Sequence, residues 1–164
     1  MRALVLACAL FLTACGFTPL HGTATGAQGF SGVSVSVSDG KDENDRAAGF
    51  LLRQRLEDRI GRAGSPRYTL DVEPVVRQVG LGLTGQDRAS RFDSVFQARW
   101  VLRDAATGDL IESGTTRSTA TFSADRDPYR LLASNEAAVQ RVSARVADDV
   151  LAAVALALAG QTAP

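Results

Sequence analysis

The chain has few chemically reactive side chains. Its 164 residues include two cysteines, one histidine and one methionine. With His21 as the sole histidine, a Ser-His-Asp triad would have to rest on a residue near the N-terminus, where rigid positioning is hard to build. A zinc site lacks its usual ligands. Lysine is nearly missing too: Lys41 stands alone among basic residues that are otherwise arginine. The 18 basic and 18 acidic residues cancel, so no global field draws the chain to nucleic acid. Aromatics are only 6% of the residues, few for a domain that encloses a large apolar ligand. Uncharged apolar runs are short. The N-terminal one, Ala3 to Leu12 or "ALVLACALFL", has ten residues, against roughly 20 for a spanning helix.

That run, preceded by Met1-Arg2, has the length and charge of a signal-peptide core. It ends in Leu12-Thr13-Ala14-Cys15, which resembles the lipobox of bacterial lipoproteins, where the cysteine is acylated and the chain is cut just before it. The expectation is a signal peptide over 1–14, lipidation at Cys15, a tether over 15–29 and a single domain over 30–160. Cys8 leaves with the signal and Cys15 carries lipid, so no thiol remains for a disulfide, a metal or a nucleophile. Several acyl chains on one residue anchor stably, where one is marginal. Gly16, not Asp, follows the cysteine; in enterobacterial lipoproteins that absence of Asp goes with export to the outer membrane. Removing 14 residues leaves 150, with 17 basic against 18 acidic side chains, a size that suits one core. The Gly/Thr/Ala-rich stretch Gly16 to Gly29 could reach about 45 Å when extended.

"GVSVSVSDG" alternates Val33, Val35 and Val37 with serines and predicts a half-buried strand. The acidic "KDEND" then opens a helix capped by Asn44 or Asp45. Ala48, Leu52, Leu56 and Ile60 recur every four residues along it, with Leu51 beside them, giving an apolar stripe that ends near Gly61. "RYTLDVEPVV" places Tyr68, Leu70 and Val72 on one face of a second strand, and Pro74 marks an edge or a bulge. The Gly-rich "VGLGLTGQDRAS" reads as a connection. In "RFDSVFQARWVLRD", Phe92, Phe96, Ala98, Trp100 and Leu102 share one parity, while Arg91, Gln97, Arg99 and Arg103 share the other. Gly108 suits a hairpin turn. A Thr/Ser-rich strand of weak alternation follows, to Phe122. Asp127-Pro128 starts a last helix, with a stripe of Leu132, Val139, Val142, Val146, Val150 and Ala153, to about Ala159. This order, strand-helix-strand-strand-strand-helix, predicts an α+β fold: a four-stranded, mostly antiparallel sheet with two helices on one face.

Few constellations carry chemistry. Gly80 to Gly85, "GLGLTG", matches G-x-G-x-x-G but leads into a strand, not the helix a pyrophosphate needs. Asp148-Asp149 point about 100° apart on a helix and have Arg145 one turn back, the pattern of a solvated ion-pair face. No catalytic residue, metal site or cofactor is expected. Arg88, Arg91 and Arg99 lie in or beside a strand whose other face is aromatic, and guanidinium groups there would suit phosphate. The bland source of so much arginine is a GC-rich genome, which also explains the abundant Ala, Val and Gly.

Four segments carry a resemblance. "CGFTPLHG" from Cys15, "ASRF" at Ala89 to Phe92, "VLRDAATGDLIESG" from Val101 and "NEAAVQRVSARVADDVLAAVAL" from Asn135 are similar to alphaproteobacterial lipopolysaccharide-assembly lipoproteins of the LptE type. That family usually has Tyr where this chain has His21, and a Tyr-containing turn near Thr119 to Ser123. The resemblance implies an α+β sandwich that plugs an LptD-type outer-membrane β-barrel, the translocon for lipopolysaccharide. It also implies a lipid foot in the inner leaflet of the outer membrane, a periplasm-facing domain, no enzymatic activity and no nucleic-acid partner. Lipopolysaccharide binding through basic residues near strand ends would fall on Arg88 and Arg91. The alternative is a free-standing periplasmic lipid or glycolipid carrier, which needs an enclosed cavity. A periplasmic hydrolase would need a nucleophile, base and acid in one cleft.

Overall fold

Alternation of valine and serine forms strand β1, Val33–Val37. Helix α1, Glu43–Ile60, follows, then β2, Tyr68–Leu83, β3, Ala89–Asp104, β4, Leu110–Ser123, and α2, Pro128–Gln161. The computed structural model describes residues 30, 32–61, 64–83, 89–123 and 126–161. The sheet order is β1-β2-β3-β4. β1 lies parallel to β2, and the other two pairings are antiparallel. The expected mostly antiparallel sheet with two helices is therefore what forms, the one parallel pair arising from the β1-α1-β2 crossover.

Period-two alternation sorts the strands into two faces. Val33 and Val37, then Leu70, Val72, Pro74 and Val76, then Phe96, Ala98, Trp100 and Leu102 point to the helices and are buried. From α1 they meet Ala48, Leu52, Leu56 and Ile60, and from α2 they meet Val139, Val142, Val146, Val150 and Val154. Each fully buried Val, Leu, Ile or Phe among them contributes about 1.5–3 kcal/mol on burial. Trp100 lies across β4. A methyl group on Gly114, its cross-strand partner, would sit 2.6 Å from the indole ring, and the indole N–H donates to Thr116 Oγ1 at 3.2 Å.

β1 stops opposite Val72 while β2 continues eleven residues further, so the upper edge of β2 must be finished another way. Pro74 has no N–H to satisfy there, which is why proline is tolerated in a long strand. The next donor on that edge, Val76 N–H, is met by the Asp45 carboxylate at 2.6 Å. Asp45 also accepts from Lys41 N–H at 3.3 Å and is 4% exposed. The helix cap falls one turn earlier than the sequence suggests: Asp42 accepts from Asp45 N–H at 2.9 Å, which leaves the Asp45 side chain for the sheet. Two glycines permit this approach. A Cβ on Gly40 would lie 2.1 Å from Asp45 Cβ, and one on Gly49 would meet Pro74 at 3.1 Å.

Two further departures from the sequence reading follow from pairing. The Gly-rich Val79–Leu83 belongs to β2, held by β3 through Val79↔Asp93, Gly80↔Phe92 and Leu81↔Arg91; a paired neighbour overrides weak strand propensity. Leu132, first in the α2 stripe, is 64% exposed. α1 begins at the level of Val76, so above that level α1 does not flank α2.

At the β3–β4 hairpin the turn forms as expected. Gly108, with φ +78, donates to Asp104 C=O at 2.9 Å. The Asp104 carboxylate accepts from Ala106 and Thr107 N–H at 2.8 and 3.1 Å, and the Thr107 and Ala106 backbone bonds hold its pKa below the ordinary 3.8.

Candidate functional site

The chain enters at one end of the sheet, where Phe30 C=O accepts from Val33 N–H and Gly32 C=O accepts from Arg67 and Tyr68. The candidate arginine lies at the other. Arg91 stands exposed near the start of β3, between Leu81 of β2 and Ser123 of β4. From Arg91 along β3 to Asp104, which shares a row with Tyr68, is about 43 Å at 3.3 Å per residue. Cys15, His21 and Arg88 lie outside the described residues.

Next to Arg91, on the helix side, Phe92 and Phe122 stack with ring centroids 5.5 Å apart. They floor a half-open groove of 340 Å³ that is otherwise lined by Gln78, Pro128, Leu131, Leu132 and Asn135. Gln78 Nε2 donates to Asn135 Oδ1 at 2.6 Å and closes the inner end. The Asp127 carboxylate accepts from Tyr129 N–H at 2.9 Å and starts α2, so Pro128 and Leu131 are placed on the wall. Arg126 is exposed just before that cap, and Tyr129 on the first turn is 84% exposed. This end therefore carries an apolar trough on the helix side, with exposed Arg126 just before its wall and exposed Arg91 on the opposite face of β3. Sequence parity placed Phe92 and Arg91 on opposite faces of one strand. It gave no sign of the trough, because Phe122, Leu131 and Leu132 reach it only through the β4–α2 connection.

The second notable surface is the outer face of the sheet, which neither α1 nor α2 covers. Its cross-strand rows read Glu73–Arg99–Thr115, Val75–Gln97–Arg117, Arg77–Val95–Thr119 and Val79–Asp93–Thr121. Arg99 pairs with Glu73 at 3.7 Å, and Thr121 donates to Asp93 at 2.6 Å. Arg77, Arg91 and Arg117 have no carboxylate partner among the described residues. The helix layer is different: Arg145 pairs with Asp149 at 3.2 Å and Arg59 with Asp148 at 3.8 Å, the ion-pair face expected of that aspartate pair.

Among the described residues no group of His, Cys, Asp or Glu could hold a metal. No helix among them is long and apolar enough to cross a membrane. Ser143 Oγ is buried without a hydrogen-bond partner. It lies in a cleft of 240 Å³ between the helices, with Leu51, Gln54, Arg55, Asp58 and Gln140, a set that holds no histidine to serve as its base.

Comparison with known proteins agrees with this geometry. No curated protein matches in sequence. Residues 32–154 match the family model LptE, described as lipopolysaccharide-assembly. The fold is similar to a crystal structure described as a lipoprotein of Caulobacter crescentus, with TM-score 0.67 and 27% identity over 85% of this chain and 99% of that one. It is also similar to rare lipoprotein B of Shewanella oneidensis, with TM-score 0.60 and 15% identity over 80% and 98% of the two chains. A minor lipoprotein of Acinetobacter baumannii shares the fold at TM-score 0.53 and 16% identity over 76% and 90%. The family match spans both helices and all four strands. The chain thus belongs to the LptE family, envelope lipoproteins with a role in lipopolysaccharide assembly.

Proposed function

We propose that the protein is a non-enzymatic lipoprotein of the outer membrane that plugs and helps assemble an LptD-type barrel, and that it touches lipopolysaccharide during passage to the outer leaflet. In this reading residues 1–14 are removed, Cys15 carries the lipid, residues 15–29 form the tether and residues 30–160 the working domain. The lipid foot holds the chain to the inner leaflet of the outer membrane with the domain in the periplasm. A sheet face rich in Ser and Thr suits the polar lumen of a large barrel.

The observation that carries the reading is the far end of the sheet. Exposed Arg126 immediately precedes the cap and Pro128 wall of the Phe92–Phe122 trough, and exposed Arg91 stands at the same end on the opposite face of β3, so cationic forks and an apolar lodging share one end of the molecule. Lipid A presents the complement, phosphate next to acyl chain, and guanidinium binds phosphate in a bidentate manner. Arg88, three residues before Arg91 in sequence, is proposed for the same ligand. A free carrier would have to shelter acyl chains over their whole length, whereas the trough is short and open on one side.

The test is co-expression of the full-length chain with its cognate barrel, followed by purification from solubilised outer membranes. A stable complex is expected. A well-folded, lipidated chain that never brings the barrel down would refute the plug, and protection of lipopolysaccharide acyl chains by the chain alone would favour the carrier.

A further inference from the structure

We infer that the free edge of β4 is a strand-addition site for an extended segment of a partner protein, with an acidic residue held opposite Arg117. The sheet order leaves β1 and β4 as edges. Asp104 N–H donates toward β4, to Asp109 C=O at 3.0 Å, while Ala105 N–H donates to Arg67 C=O at 2.8 Å, on the β2 side. Backbone groups alternate sides along an antiparallel strand. The even-numbered residues of β3 from Phe92 to Leu102 therefore bond β4, and their partners from Glu112 to Phe122 are spent on them. That leaves Ser113, Thr115, Arg117, Thr119 and Thr121 with N–H and C=O turned away from the sheet. Ser113 shows it directly: its N–H donates out of the ladder, to the Glu112 carboxylate at 3.1 Å. All five residues are exposed.

Proteins blunt sheet edges with short strands, Pro, Lys, bulges or a covering segment. The β1 edge is treated so. It has five residues, Val33 N–H donates to Phe30 C=O, and Val37 C=O accepts from the Arg53 guanidinium. Beyond it, Asp45 takes Val76 N–H. β4 has 14 residues with neither Pro nor Lys, and its one irregularity lies at the start, opposite Leu102 and Arg103. From Thr115 to Thr121 no outward backbone group has a partner among the described residues. A row of paired donors and acceptors, repeating about every 6.8 Å, is matched in kind by another extended backbone.

A second copy could supply that backbone. The antiparallel register that uses the whole row sets Ser113 against Thr121, Thr115 against Thr119 and Arg117 against its own copy. Like charges directly opposite are destabilising, and Arg117 has no carboxylate partner among the described residues to offset them. Arg117 thus disfavours self-pairing and selects a strand with Asp or Glu in that place. The strands of a closed barrel wall are already paired on both sides, so the segment is a terminus or loop.

The probe is a capped nine-residue peptide of alternating Thr and Val with Glu at its centre, added to the purified full-length chain. Amide exchange at Thr115, Arg117, Thr119 and Thr121 should slow at least about tenfold at saturation, with the amides of β1 unchanged. A peptide with Lys at the centre should bind at least about tenfold more weakly. Arg117→Glu should reverse that preference. Thr119→Pro removes one outward donor and leaves the β3 ladder unbroken, so it should abolish the protection that Thr119→Val retains. If the proline variant unfolds below the wild-type midpoint, the charge reversal carries the test. Absence of protection in the wild-type chain, or equal binding of the two peptides, overturns the inference. Protection that rises with chain concentration in the absence of peptide also overturns it and makes the occupant a second copy. Because the assay contains no barrel protein, its outcome is independent of plug formation.

Discussion

At the scale of single residues, Asp45 decides how the β2 edge is finished. A strand that outruns its neighbour leaves donors facing an apolar layer, and an unmet buried donor costs about 1–3 kcal/mol. Asp45 meets Val76 N–H and Lys41 N–H with one carboxylate. Asp45→Ala is expected to lower the unfolding free energy by about 2–4 kcal/mol, because both donors lose their acceptor. Asp45→Asn keeps the oxygen that faces Val76 and should cost less than half as much. Urea titration of the two variants checks the ordering, and equal losses would show that the charge matters and the acceptor does not. None of this was legible in the sequence, where Asp45 is one of several acids before a helix. Its partner is 31 residues away, and only the stop of β1 opposite Val72 creates the need.

Among the elements, the strands of strong alternation were readable and the weakly alternating one was not. Phe92 to Leu102 marked the inner face of β3 because one parity is apolar at every position but Ser94. β4 carries Ser and Thr on both parities, so its register comes from β3. Arg117 could be placed on the outer face only through its pairing with Gln97. Helix periodicity fails in a different way: it shows which side chains share a stripe and not what lies opposite. Leu56 and Leu132 both sit on stripes, yet Leu56 is fully buried and Leu132 is 64% exposed. Leu56→Ala is expected to cost about 2–5 kcal/mol through lost transfer energy and a cavity. Leu132→Ala should stay within about 0.5 kcal/mol of wild type. Thermal unfolding of the two variants distinguishes a continuous core from a trough left open at the far end.

Over the whole molecule, the two ends of the sheet differ. The chain enters beside Arg67 and Tyr68, whose guanidinium and ring lie 5.3 Å apart. Arg91 stands about 43 Å away along the sheet, at 3.3 Å per residue. If the lipid foot and the lipopolysaccharide contact use opposite ends, equal charge changes at the two places must have unequal effects. Arg91→Glu should weaken retention of lipopolysaccharide by roughly ten- to hundredfold, the loss of one charge-assisted contact of about 1.5–3 kcal/mol. Arg67→Glu, also at an exposed arginine, should leave retention unchanged. Co-purified lipopolysaccharide per mole of chain is the readout, with the unfolding midpoint of each variant as the control for folding. Equal losses at the two positions would mean that the chain answers to overall charge and that Arg91 has no special part in recognition. A loss confined to Arg91 ties retention of lipopolysaccharide to the end of the sheet opposite Tyr68 and not to overall charge.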